Sequence, residues 1–309
     1  MSRLRRSLLL IVALLVAGGS APAQKFLPDD PIQRDPDDLR IDKPAFVELS
    51  PTWNMVINSF GNEAEGPLLR AQNVNTVGEV PDSSWFTNRI GIRDVSIEEL
   101  VQGNDLSGGP DLDGELTVLG AALVSVSEGM FVQDRQGSIF YLILEPAAYP
   151  RLVSGASIIS NRIFHAAGYN VFPSHIVEVD PAQLRMDPKA EVFQLGGKRQ
   201  PMDPSYLKLA FEDAARSEDG RYRAVALYIP PAAGSMTGES GSLTMGEFQF
   251  HGRRSDDPND LYLHENRREL RGMRLFAEWL NFTFCDALVT RERSAVQQRK
   301  IKGIGALRA

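Results

Sequence analysis

The order of patterned segments between residues 116 and 180 constrains this chain more than any other feature. LTVLGAALVSV (116–126) reads as a buried strand or strand pair. Two β-rich runs follow, MFVQD (130–134) and SIFYLIL (138–144), joined by Arg135, Gln136 and Gly137. A short glycine-containing connector between such runs predicts a β-hairpin. SGASIISNRIFHAAG (154–168) has helical spacing. Ser154 can cap its start, and Ile158, Ile159, Ile163 and Phe164 line an apolar face. Gly168 stands where helices commonly end in a left-handed residue. YNVFPSHIVEVD (169–180) reads as a further strand. Hairpin, helix and strand in this order predict an α+β fold.

The flanking regions are less regular. Residues 24–44 are rich in Asp and Pro and predict an extended start. Residues 46–114 carry many turn residues and aromatic anchors at Trp53, Phe60, Trp85 and Phe86, which predicts a segment wrapped on the main domain. After residue 180, 187–204 reads as a Gly/Pro/Lys-rich loop, 204–216 as a short helix, 222–229 as a strand and 230–246 as a flexible loop. Residues 265–287 predict the longest helix. Leu270, Met273, Phe276, Ala277, Leu280 and Phe284 recur at steps of three and four, with Arg267, Arg268, Arg271 and Arg274 mainly on other faces.

The chain opens with Arg3, Arg5 and Arg6, an apolar run over 7–17 and an A-x-A pattern before Gln24. That arrangement predicts a cleaved export signal over 1–23 and a periplasmic or extracellular destination. No later segment approaches the ~18 apolar residues a membrane span needs. The net charge is −7, and loss of the three leader arginines makes it about −10. Such a balance argues against a nucleic-acid partner, whose phosphates require a basic face. The one cysteine, Cys285, cannot form an internal disulfide, so stability must come from a core.

The densest chemistry lies in HGRRSDDPNDLYLHENRRELRG (251–272). Asp256, Asp257, Asn259 and Asp260 concentrate oxygen ligands beside His251, Arg253 and His264. They could form a cation or phosphate-linked site, but Asp and Asn before a helix also make turns and N-caps, and that reading is preferred. His264-Glu265-Asn266-Arg267-Arg268 lacks the second histidine of a zinc-protease helix. Asp111-Leu112-Asp113-Gly114 is not followed by the glutamate that would close a calcium loop. Gly234-Ser235-Met236-Thr237-Gly238 misplaces its serine for a nucleophile elbow, and no P-loop is present. Arg267 and Arg271, at i,i+4, fit a surface ion-pair lattice with Glu269 or a guanidinium fork on Asp256 and Asp257. Trp85, Arg253, His264, Arg267 and Arg271 are therefore the candidate ligand or structural contacts, and no residue is assigned a catalytic role.

Four stretches together resemble a family of exported bacterial proteins with a distant protein-kinase-like fold of the HipA type. They are VPDSSWFTNRIG (80–91), GMFVQDRQG (129–137), GASIISNRIFHAAGYNV (155–171) and GRRSDDPNDLYLHENRRELRGMRLFAEWLN (252–281). The resemblance implies a kinase-N-lobe-like core of hairpin, helix and strand, plus an incomplete, mainly helical C-terminal lobe. It implies a kinase-like domain over 115–281, after a wrapping segment over 24–114 and before an atypical basic tail over 282–309. A kinase needs a strand lysine to hold phosphates, a helix glutamate to pair with it, and catalytic-loop and metal-binding acids. The positions matching the first two are Ile143 and Ser157, and the sequence after Asn281 matches none of the rest. The expectation is a degenerate, C-terminally shortened domain without phosphoryl transfer, needing no cofactor and serving a binding or scaffold role. Partners are unspecified, apart from self-association through an uncovered C-terminal helix. Two alternatives stand beside it. One is an atypical kinase or nucleotide transferase holding ATP through Lys198 or Lys208 and Mg²⁺ through Asp256, Asp257 and Asp260. The other is a cell-envelope binding module built on the aromatic N-terminal segment.

Overall fold

The computed structural model describes residues 39, 69–83, 85–90, 92–104, 108–122, 129–193, 199–229, 244–247, 250, 252–280 and 291–293. The proposed leader, Trp53, Phe60, Lys198, His251 and Phe284 lie outside these residues, as does 282–309 apart from one short strand.

The chain is α+β. Its centre is a seven-stranded sheet made of β1 (Leu116–Ala122), β2 (Gly129–Gln133), β3 (Ile139–Leu144), β4 (Ser174–Val179), β5 (Leu184–Phe193), β6 (Arg199–Pro201) and β7 (Tyr222–Ile229), in the order β4-β7-β3-β2-β1-β5-β6. Of the helices α1 (Ile97–Gln102), α2 (Leu152–Ala167), α3 (Ser205–Glu212) and α4 (Arg268–Trp279), α2 and α3 pack on the sheet, and α1 and α4 pack on α2. Two short strands, β8 (Thr244–Glu247) and β9 (Arg291–Arg293), pair separately. Thr244 to Glu247 thus interrupts the stretch expected to be a flexible loop.

The predicted hairpin is β2–β3, antiparallel in the register Val132↔Phe140. Its turn is built by Asp134, whose Oδ1 accepts the Gln136 and Ser138 amides at 3.0 and 2.8 Å. Gly137 completes the turn at φ +85°, a conformation most side chains avoid. Alternation then sorts the β3 side chains by face. Phe140, Leu142 and Leu144 join Val118, Val132, Val179, Ala224 and others in the main core, beneath α3. Tyr141 and Ile143 point to the other face, where α2 brings Val153 and Ile158 against Ile143 and Val225.

Helix α2 starts two residues earlier than predicted, and Ser154 is not its cap. Ser154 lies buried inside the first turn. The cap comes from Glu145, fully buried just after β3. Its carboxylate accepts the Val153 and Ser154 amides at 2.9 and 2.7 Å. An anion at this end meets both the free amides and the helix dipole. Gly168 ends the helix in the left-handed region at φ +118°. Ile159, assigned to the apolar face, is exposed.

Two further expectations are corrected. Residues 187–204 are not simply a loop. Most of β5 lies there, parallel to β1, and β6 follows. Residues 187–190 bulge opposite Leu119 alone, since Val118 pairs with Met186 and Gly120 with Glu191. Pro188 sits in that bulge, where its missing amide costs no ladder hydrogen bond. The C-terminal helix is 12 residues long against 16 for α2, so it is not the longest. It begins only at Arg268, after a 3₁₀ turn over His264–Asn266. Of its apolar stripe, Phe276 packs edge-on near Phe164 and Tyr169, with ring centroids 6.2 and 6.4 Å away, while Leu270, Met273, Ala277 and Leu280 are half-buried.

Glu145→Ala is expected to leave two buried amides without an acceptor. Urea denaturation should show a loss of about 2–4 kcal/mol. A loss below about 0.5 kcal/mol would mean that the α2 start is held otherwise.

Candidate functional site

Of the predicted residues, Trp85, Asp260, His264 and Arg267 converge, but in the interior. The centre is Arg267, fully buried at the 3₁₀-to-α4 junction. Its guanidinium carbon lies 4.3 Å from the ring centre of Trp85 and 5.6 Å from that of Tyr262. Its Nη1 donates to Glu269 Oε1 at 3.1 Å, and its Nη2 lies 3.9 Å from Asp260 Oδ1. His264, also fully buried, is 2.7 Å from Asp260 Oδ2 through Nε2 and edge-on to Trp85 at 5.1 Å. The Arg254 amide donates to the same Asp260 oxygen at 2.7 Å. Burial pushes the Asp260 carboxyl upward. The His264 hydrogen bond and charge, the Arg254 amide and Arg267 outweigh it, so the group lies below the ordinary carboxylate range.

The acidic turn caps no helix. Asp257 is buried and folds back on Asn259, accepting its backbone and side-chain amides at 2.8 and 2.9 Å. Asn259 in turn exchanges two 2.8 Å hydrogen bonds with the backbone of Leu39. The guanidinium fork exists with a different donor: Arg254, through Nε and Nη2, grips Asp256 at 3.2 and 2.9 Å. Arg267 is therefore no member of a surface lattice, and Arg271 does not reach the acidic turn. Arg271 instead binds Glu265 O, Leu69 O and Asn266 Oδ1 at 2.7–2.8 Å, tying the helix start to the N-terminal segment. Arg253 is exposed.

The wrapping segment completes this cluster. The Gln72 amide donates to Asn266 O at 3.0 Å, and Asn73 Oδ1 accepts the Arg268 amide at 2.9 Å. The cap of α4 is thus supplied from 195 residues away. Asn73 Nδ2 reaches Glu269, the one buried residue of α4. Further along, Phe86 packs on Tyr169 and over Gly168, where an added Cβ would fall 2.4 Å from the Phe86 ring. Tyr169 hydroxyl donates to Glu269 O at 2.7 Å. One continuous polar and aromatic seam therefore joins the wrap, the end of α2 and the start of α4.

Chemically, this seam brings buried charges of opposite sign together: Arg267 donates to Glu269 and lies beside Asp260, which is also hydrogen-bonded to His264. Its residues line neither of two surface hollows, of about 260 and 410 Å³, which open beside Glu115 and Arg185 and beside Leu207 and Phe211. Among the described residues, no group of three His, Cys, Asp or Glu side chains is placed to hold a metal ion. Lys208 is exposed on α3 and lies 4.0 Å from Glu212. No protein-family model, curated protein or solved structure matches this chain.

Sequence reasoning missed Asn73, Glu145 and Arg254. Asn73 and Glu145 act on helix starts 195 and eight or nine residues away, so local pattern carried no signal for them, and Arg254, two residues from Asp256, was passed over for its neighbour Arg253.

His165, half-buried on α2, is pushed down to about 4 by burial and by the charges of Arg89 and Arg162. It stays neutral in the fold, whereas an unfolded chain protonates near 6.5. The unfolded state therefore binds more protons below about pH 6.5, and stability should fall as pH drops toward 4. Melting curves at pH 7.5 and 5 should show a larger loss in the native chain than in His165→Gln. Parallel losses would contradict this.

Proposed function

We propose that this chain is an exported, non-catalytic kinase-like protein with a binding or scaffold role. The leader-like pattern over 1–23 supports export. The element order supports the kinase-like reading: an antiparallel β1–β2–β3 meander, a helix laid across β3, then β4 at the sheet edge, with β7 between β4 and β3 and antiparallel to both. This order of hairpin, helix and strand is the support for the proposed N-lobe correspondence.

One observation carries the non-catalytic part. Ile143, the position matched to the phosphate-holding lysine, is packed among Val153, Ile158 and Val225. A kinase needs a cation there with an acidic partner on the helix. Here the contact between strand and helix is apolar, and the carboxylate at the end of β3, Glu145, is used on the α2 amides. The nucleotide-transferase alternative is disfavoured because Asp257 and Asp260 are buried and hydrogen-bonded within the seam. The envelope module centred on Trp85 is disfavoured because that ring is buried under Arg267.

Thermal unfolding of the full chain with millimolar ATP and Mg²⁺ tests the reading. A protein binding nucleotide with micromolar affinity would gain about 4 kcal/mol at a thousandfold excess, a rise of several degrees. The expected result is no change in Tm. A rise that requires Mg²⁺ and disappears in Asp260→Asn would overturn the proposal in favour of the transferase.

A further inference from the structure

The outer side of α4 carries exposed apolar residues that the seam does not use. Trp279 is 72% exposed and Leu275 69% exposed, one helical turn apart. The wrapping segment lies alongside, since Arg271 binds Leu69 O and Arg268 binds Gly78 O. It adds Leu69 at 60% and Val77 at 68% exposure. Four arginines are interleaved with these residues: Arg70, Arg268 and Arg274 are exposed and Arg271 is half-buried. The carboxylates beside them are Glu265, Glu278, which pairs with Arg274 at 3.0 Å, and Glu79 on the wrap, so four guanidinium groups against three carboxylates leave this face net positive on a chain whose net charge is −7.

From this placement we propose that the α4 face docks the protein on the surface of an anionic phospholipid bilayer. Charge complementarity selects that occupant. Guanidinium groups bind phosphate oxygens through several N–H donors at once. Tryptophan and leucine between them suit the headgroup–acyl boundary, where an amphipathic ring keeps one edge wet. A second copy of the chain is the poorer occupant, because two such faces would set their arginines against each other. A nucleic acid would meet the same arginines, but Leu69, Val77 and Leu275 offer aliphatic surface with no base to stack on it. The docking is peripheral: no helix among the described residues is long and apolar enough to cross a membrane. It does not depend on the kinase-like reading, since none of these residues belongs to the Ile143 cluster.

Cosedimentation of the full chain with vesicles tests the proposal. Vesicles of phosphatidylcholine containing about a third phosphatidylglycerol should bind the protein, and pure phosphatidylcholine should not. Salt at about 1 M, where the screening length is about 3 Å, should release it. Arg274→Gln should weaken partitioning about five-fold, and Trp279→Ala by about ten-fold or more. Both side chains are exposed, so their Tm values should match the native chain. If either variant fails to fold, Leu275→Ser supplies the apolar arm. Equal binding to neutral and anionic vesicles, or binding to neither, would overturn the proposal. So would a dimer abolished by Trp279→Ala in the absence of lipid, which would assign the face to a second copy.

Discussion

A fully buried guanidinium governs how this molecule is assembled. Taking Arg267 out of water costs several kcal/mol unless its charge is met by others in fixed geometry. Asp260, Glu269 and the face of Trp85 meet it, and they come from a loop, a helix and the N-terminal segment. Burial of that one charge therefore requires all three to be in place together. The remaining contacts of the seam follow the same logic. Asn73 caps α4, Arg271 holds Leu69, and Tyr169 reaches Glu269 O, each linking the wrap or α2 to the same helix start.

Glu145 plays the corresponding part at the sheet. It is buried where β3 gives way to α2, and it answers the free amides that every helix start presents. Arg223 on β7 lies 4.0 Å from it, so the carboxylate also faces a cation from the neighbouring strand. With Glu145 holding the helix start and Ile143 packed on Val153, the strand–helix contact stabilises the fold. In both places the buried ions serve to hold elements together.

Where local physics decides, the sequence was legible. Period-two alternation and Gly137 marked the hairpin, helical spacing and Gly168 marked α2, and Tyr222 to Ile229 stood out as a strand. Where a distant partner decides, it was not. The strand β5 was hidden by Pro188, which reads as a breaker until the bulge opposite Leu119 gives it a place without an amide. The start of α4 was set too early because His264 and Glu265 continue the polar pattern into a 3₁₀ turn. The polar residues of 251–272 were recognised as a group, but their burial was not, because charge pattern does not reveal which side chains will cover it. Trp85 was expected as an anchor, and its partner, Arg267, was expected on the surface.

The central claim is that burial of Arg267 couples the wrap to α4. Native-state hydrogen exchange on Arg267→Met tests it most directly. Removing the cation leaves Asp260 and Glu269 buried without it, at a cost of about 3–5 kcal/mol. The account predicts that the amides of Gln72, Thr87 and Arg268 lose protection together, while Val132 and Leu142 in the sheet keep theirs. Unchanged protection at Gln72 and Thr87, with loss confined to Arg268, would contradict it.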